Sequence, residues 1–233
     1  MKNCSLVQFD DQAAWVRGIT DHIAHGLSAG LNERGYASLA VSGGTTPKPM
    51  FAALSHVDLA WGKVVVLLVD ERWVDISDKD SNENLVRSHL LQDKAAAAVF
   101  IGMKTGAATA AAGEKECGER LKRIPMPYDV MVLGMGGDGH TASLFPGAPK
   151  LSRAVDMASG LMCAAIVPAQ AAHERMTLTL PVILNSREIV VHITGAEKLK
   201  VYERAISEGP LEEMPIRHVL RQEKVPVTVF WAP

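Results

Sequence analysis

The sequence predicts an α/β protein: a mostly parallel central sheet with helices on both faces, Rossmann-like in plan. Three observations predict it. Short β-branched or apolar runs alternate with amphipathic stretches along the chain, the pattern left by strand–helix–strand crossovers. Residues 63–69, Lys-Val-Val-Val-Leu-Leu-Val, are apolar at nearly every position, as a parallel strand covered on both faces requires. No Pro/Ser/Gly linker and no internal repeat divides the 233 residues, so residues 1–233 are read as one domain.

The elements follow in order. Val16, Ile19, Ile23, Leu27 and Leu31 are spaced by three or four, which predicts a helix burying one stripe. Residues 38–42 read as a buried strand that breaks at Gly43-Gly44. Thr45 or Thr46 is expected to cap the next helix, with Pro47 at its first position and Met50, Phe51 and Leu54 on its apolar face. Further strands are expected at 63–69, 99–101, 129–133, 162–167, 188–194 and 227–231. Helices are expected near 109–122 and over 196–206. The Ala-rich tracts at 95–98 and 107–112 fit helix or loop.

Composition narrows the function classes. The chain is 48% hydrophobic and 21% charged, ordinary for a soluble globular domain. Twenty-four Lys+Arg against 26 Asp+Glu leave a net charge of −2, which offers no electrostatic case for nucleic acid. The longest aliphatic run, 64–69, falls far short of the ~20 residues of a spanning helix, so no membrane partner is expected. The N-terminal residues reach Asp10 and Asp11 before a secretory apolar core can form. Cys4, Cys117 and Cys163 are odd in number and lack CxxC spacing, against a disulfide framework or zinc site. A reducing cytoplasm is the expected compartment.

Four polar clusters fall at predicted strand ends, where open α/β sheets collect ligands. Ser42-Gly43-Gly44-Thr45 joins a strand to a helix start. Its glycines would let the backbone approach a phosphate monoester, with free N–H groups and the positive dipole end facing it. An ordinary tight turn is the alternative. A hydrolase elbow is weaker, because Ala40 replaces the first glycine of G-x-S-x-G.

Asp70-Glu71-Arg72 ends the most hydrophobic strand, either as a solvated loop or as a site at the sheet edge. Arg72 could hold an anion or polarise a carbonyl. Asp70 and Glu71 point apart on an extended segment.

Gly134-x-Gly136-x-x-Gly139 formally matches a dinucleotide fingerprint. Asp138 would repel a pyrophosphate, Pro146 comes too soon for the long helix, and no acid ends a strand ~20 residues on. The loop makes better sense as a catalytic turn. Asp138 and His140 flank one glycine, and a carboxylate beside imidazole orients it or raises its basicity. Their spacing leaves open whether they touch, and a turn cap beside a structural histidine is the alternative.

Lys198 falls in the first turn of a helix, where a cation is better tolerated if an anion shares the helix end. Arg175 precedes the alternating Met176-Thr-Leu-Thr-Leu180 and is a second candidate anion ligand. His22 and His25 lack a nearby acid or cysteine partner for a metal. Structural roles are the default for His89, His173, His192 and His218. Trp61, Trp73 and Trp231 read as packing anchors, since they are not interleaved with basic residues.

In this order the clusters resemble the 6-phosphogluconolactonase family, within the wider glucosamine-6-phosphate isomerase/deaminase-like superfamily. The resemblance runs through Ser42-Gly-Gly-Thr-Thr-Pro47, Val69-Asp-Glu-Arg-Trp-Val74, Ser81-Asn-Glu-Asn84, Gly134-Met-Gly-Gly-Asp-Gly-His-Thr-Ala-Ser-Leu-Phe-Pro146, Arg175-Met-Thr-Leu-Thr and Gly195-Ala-Glu-Lys198. It covers roughly residue 10 to the C-terminus, and the block from Gly137 to Pro146 is its most specific part. The resemblance implies hydrolysis of 6-phospho-D-glucono-1,5-lactone to 6-phospho-D-gluconate, in the oxidative branch of the pentose phosphate pathway. It implies His140 as general base on water, Asp138 orienting it, and Arg72 at the oxyanion or positioning substrate. Ser42, Gly43, Gly44, Thr45, Lys198 and Arg175 would hold the phosphate. The expected partner is a small phosphosugar lactone, with no cofactor and no metal.

Two alternatives stand beside it. The isomerising deaminases carry a glutamate five positions after the histidine, where this chain has Phe145, and lack an arginine at the position of Arg72. A sugar-phosphate-binding regulator would keep the pocket without turnover.

Overall fold

The order of elements follows from where the apolar stripes fall. In the computed structural model, which describes residues 3–169 and 171–233, an edge strand β1 (Cys4–Gln8) precedes the long helix α1 (Gln12–Arg34). Asp11 caps α1 by accepting the Ala14 N–H at 2.7 Å, and Gly35 ends it at φ 77°. Trp15, Ile19, Ile23 and Leu27 are all buried, the four-residue spacing that lays one face of a helix on a sheet.

The first half continues as β2 (Ala37–Val41), α2 (Lys48–Ser55), β3 (Val64–Leu68), β4 (Asp70–Arg72), α3 (Asn82–His89), β5 (Val99–Ile101), α4 (Ala110–Leu121) and β6 (Tyr128–Gly134). The second half holds α5 (Leu151–Val155), β7 (Cys163–Ile166), β8 (Arg175–Leu178), α6 (Leu180–Ile183), β9 (Ser186–Thr194), α7 (Ala196–Ile206), α8 (Arg217–Leu220) and β10 (Val227–Ala232).

Seven strands form one sheet in the order β1-β10-β9-β6-β2-β3-β5, every pair parallel. The expected α/β class and central sheet are present, with helices packed around it. All of β2 and all but one residue of β3 are buried, so continuous apolar runs suit both strands. Between β2 and β6 the winding reverses: from β2 the chain proceeds outward to β3, and from β6 outward to β9. A crevice opens at such a switch point, beyond the carboxyl ends of the strands.

The strand expected at 162–167 forms, but in a second sheet, β4-β8-β7, whose pairs are antiparallel. Val69 joins the two sheets. Its N–H donates to Val41 O at 3.0 Å, and its carbonyl accepts the Leu178 N–H at 2.8 Å. The expected cap of α2 differs as well. Pro47 takes the cap position, and no side chain, that of Thr45 or Thr46 included, accepts a capping hydrogen bond. A ring with φ already near the helical value starts the turn instead.

No helix among the described residues is long and apolar enough to cross a membrane. Among them also, no group of three or more His, Cys, Asp or Glu is placed to hold a metal.

Candidate active site

The loops after β2, β6 and β9 and the start of α7 converge with β4 and α3 on an open cleft of about 360 Å³, within the usual range for a small-molecule site. Each of the four polar clusters contributes to its wall, through Ser42, Gly43, Gly44, Thr45, Arg72, His140 and Lys198. Asp138 and Arg175 stand behind that wall.

The β2–α2 turn is fixed from below. The Ser42 hydroxyl donates to Val132 O at 3.1 Å and accepts the Gly134 N–H at 3.2 Å, tying the ends of β2 and β6 together. Its lone pairs and proton are thus engaged in structure, which removes it as a nucleophile. Gly43 is required by close approach, because a Cβ there would lie 1.9 Å from Asn82 Oδ1. Gly44 takes φ 99°, a left-handed conformation that side chains resist. The turn therefore presents bare backbone to the cleft, directly before α2.

A buried polar network carries the β4 side. Asp70 Oδ2 accepts the Ser143 hydroxyl at 2.6 Å, and Asp70 O accepts Asn82 Nδ2 at 2.9 Å. Glu71 points the other way and is 1% exposed. Its carboxylate accepts the backbone N–H groups of Arg72, Asn82 and Glu83 at 2.7–2.8 Å and the Ser81 hydroxyl at 3.1 Å. It thereby pins the start of α3 to β4, and burial pushes its carboxyl pKa up against those donors. Arg72 donates to Asp80 O at 2.6 Å and lines the cleft. Arg175 is its cross-strand neighbour on β8. Burial, with Arg72 beside it, lowers the Arg175 pKa.

The loop after β6 is wound tightly. Gly136 donates to His140 O at 2.8 Å, and a Cβ on Gly136 would lie 2.1 Å from His140 Nδ1. No long helix follows; α5 starts only at Leu151, which removes the dinucleotide reading. His140 Nδ1 lies 2.6 Å from Asp138 Oδ1, so the two side chains do touch. The hydrogen bond to His140 holds the Asp138 carboxyl down to about 2. The carboxylate is therefore ionised near neutrality, Nδ1–H donates to it, and Nε2 of a neutral ring is left as an acceptor. Phe145 packs against the imidazole at a tilt of 35°, with centroids 4.3 Å apart. The only side chain offered by the fifth position after His140 is thus one that packs and cannot move a proton.

Lys198, in the first turn of α7, donates to Met135 O at 2.7 Å, and burial lowers its pKa. Three further cleft residues escaped sequence reasoning: Asn82, Thr194 and His192. Asn82 stands inside a quoted motif without a role there. His192 sits in an apolar strand pattern that looks purely structural.

Comparison with known proteins places the whole chain. Residues 10–231 match the family model described as glucosamine-6-phosphate isomerases/6-phosphogluconolactonase. The chain is 44% identical to a 6-phosphogluconolactonase of Mesorhizobium japonicum, covering 97% of this chain and 94% of that one. It is 40% identical to a 6-phosphogluconolactonase of Pseudomonas aeruginosa, with 95% and 92% covered. The crystal structure of a Shewanella baltica 6-phosphogluconolactonase superposes with a TM-score of 0.97 at 44% identity, covering 100% of this chain and 99% of that one.

Proposed function

Since the chain belongs to the glucosamine-6-phosphate isomerase/6-phosphogluconolactonase family, we propose that it is a 6-phosphogluconolactonase in which His140 activates the attacking water. The reaction opens 6-phospho-D-glucono-1,5-lactone to 6-phospho-D-gluconate. One observation carries the reading: Asp138 occupies His140 Nδ1 at 2.6 Å, while His140 lines the same cleft as the Ser42–Gly43–Gly44–Thr45 turn and Lys198.

The phosphate sits on the bare turn at the start of α2, where unpaired N–H groups and the helix dipole favour an anion, with Lys198 as counter-ion. His140 Nε2 takes a proton from water as its oxygen attacks the lactone carbonyl. Asp138 holds the ring tautomer and stabilises the imidazolium that forms. Arg72 stabilises the oxyanion of the tetrahedral intermediate, and Arg175 backs it with a second positive charge. Collapse of that intermediate breaks the ring C–O bond, and the imidazolium returns its proton to the leaving alkoxide. A lactone carbonyl is electrophilic enough for this sequence to run on side chains alone.

The isomerase/deaminase reading loses support at Phe145, which packs against His140 where that chemistry needs an acid. A non-catalytic binder would have no use for the ionised Asp138 behind His140.

The test is hydrolysis of freshly generated 6-phosphogluconolactone, coupled to 6-phosphogluconate dehydrogenase and corrected for spontaneous opening. His140→Ala should lower kcat by about 10²–10⁴-fold while product still binds. Unchanged turnover in the variant removes His140 as the base. No acceleration by the wild type removes the reaction.

A further inference from the structure

The floor of the cleft holds a buried polar side chain that this mechanism does not use. His192 is 4% exposed and forms part of the cleft wall. Neither ring nitrogen has a hydrogen-bonding partner among the described residues. Its strand neighbours in register are Gly134 on β6 and Phe230 on β10. Trp15 of α1 meets the ring edge-on, at 6.4 Å between centroids. An imidazole with both nitrogens unmet among such neighbours costs stability that a leucine would not.

Gly134 shows where the ring is approached. A Cβ built on Gly134 would meet only His192 Cε1 and Nε2 within 4 Å, at 3.6 and 3.7 Å. Gly134 lies in the cleft wall, and its φ is not left-handed, so nothing in its own conformation demands glycine. The missing methyl leaves a space between the cleft and Nε2. Beside that space are the Ser42 hydroxyl, bonded to Gly134 N, and Lys198, bonded to Met135 O. These residues surround the end of the cleft assigned to phosphate.

We propose that His192 is a ligand-binding residue of this cleft, donating an N–H from its floor to an oxygen of the bound phosphate monoester. The inference rests on the reading of Ser42–Thr45 and Lys198 as the phosphate end. Burial and the Lys198 charge lower the His192 pKa to about 4, so the ring is uncharged near neutrality and offers one N–H beside a cation. It touches ligand without taking part in proton transfer, and it therefore acts on affinity rather than on the chemical step.

The test uses the full chain with His192→Leu, His192→Gln, Gly134→Ala and the His192→Leu/Gly134→Ala double variant. The readouts are KM and kcat for the lactone, competitive inhibition by inorganic phosphate and by gluconate, and the thermal midpoint. His192→Leu should raise KM and the phosphate inhibition constant by about tenfold or more, leaving kcat within about twofold. The midpoint should stay level or rise, a combination that a merely structural role does not produce. Glutamine, whose amide nitrogen can stand near the Nε2 position, should recover part of the affinity. Gly134→Ala should weaken binding similarly by filling the space. The double variant should be no weaker than the weaker single, since both changes remove one contact.

Unchanged phosphate inhibition in His192→Leu overturns the proposal, as does full additivity in the double variant. Equal weakening of gluconate, which has no phosphate, also overturns it by moving the contact to the sugar. If the wild type fails to hydrolyse the lactone but its midpoint rises with 6-phosphogluconate, the proposed reaction fails alone, and the midpoint shift given by inorganic phosphate in wild type against His192→Leu decides His192.

Discussion

Replacing Glu71 by glutamine changes one atom and asks how the cleft's cation is held in place. The carboxylate accepts four hydrogen bonds: Oε1 from Arg72 N and Asn82 N, Oε2 from Ser81 Oγ and Glu83 N. An amide has one oxygen. Its best orientation keeps the two bonds at Oε1 and turns its NH₂ toward Ser81, leaving the Glu83 N–H facing another donor. A hydrogen bond to a charged group contributes ~1.5–3 kcal/mol, and a stranded buried donor costs a similar amount. The expected loss is about 3 kcal/mol in folding free energy. For a chain of this length that corresponds to a fall of roughly 6–12 °C in Tm. Calorimetry reads it directly. Because the lost anchor, Glu83 N, adjoins Asn82 in the first turn of α3, kcat and KM should both worsen at a temperature where the variant is still folded. A Tm within about 2 °C of wild type would refute the view that this carboxylate ties α3 to β4.

Two further predictions concern the cleft. Gly43→Ala places a methyl 1.9 Å from Asn82 Oδ1, so Asn82 must leave its bond to Asp70 O. Affinity for 6-phosphogluconate should fall by about tenfold, read by calorimetric titration, and unchanged affinity would show that the turn tolerates a side chain. Asp138 is depressed to about 2 by its bond to His140. A carboxyl depressed on folding adds stability above its unfolded pKa and loses it as pH falls through the folded one. The Tm advantage of wild type over Asp138→Asn should therefore be present at pH 5 and vanish between about pH 4 and pH 2. Asp138 is half exposed, so the advantage should not exceed about 1 kcal/mol. A gap that widens on acidification would reverse the assignment.

Much of this architecture is legible in the chain because burial on both faces writes an unbroken apolar run. Residues 64–68 and 37–41 announce β3 and β2 for that reason. β1 is an edge strand with exposed alternate residues, so its pattern does not stand out from a polar N-terminus. The four-residue helices α6 and α8 are too short to display a period. The strand at 163–166 is equally apolar whichever sheet it joins. Its antiparallel place depends on a partner, β8, whose only sequence mark is the alternation after Arg175. Within the cleft, Asp138 and His140 were identifiable by type and spacing, while their contact needed the Gly136 turn. His192 left no mark because one polar residue between Ile189-Val190-Val191 and Ile193 looks like an accident until both of its nitrogens are found unmet.

The passage of the chain through Val69 bears on what substrates the cleft can accept. The Ser42–Thr45 turn, proposed to hold phosphate, belongs to the parallel sheet and Arg72 to the antiparallel one, and a single residue carries the chain between them, hydrogen-bonded on one side to Val41 and on the other to Leu178. On the proposed reading, the span from anion to electrophile is thus measured out by main chain, like the fixed jaws of a gauge. Side-chain replacement can change how firmly each end of a ligand is gripped, but not the length that fits. A phosphorylated lactone one carbon longer or shorter would reach only one jaw at a time, and selection by length would survive changes that abolish selection by contact.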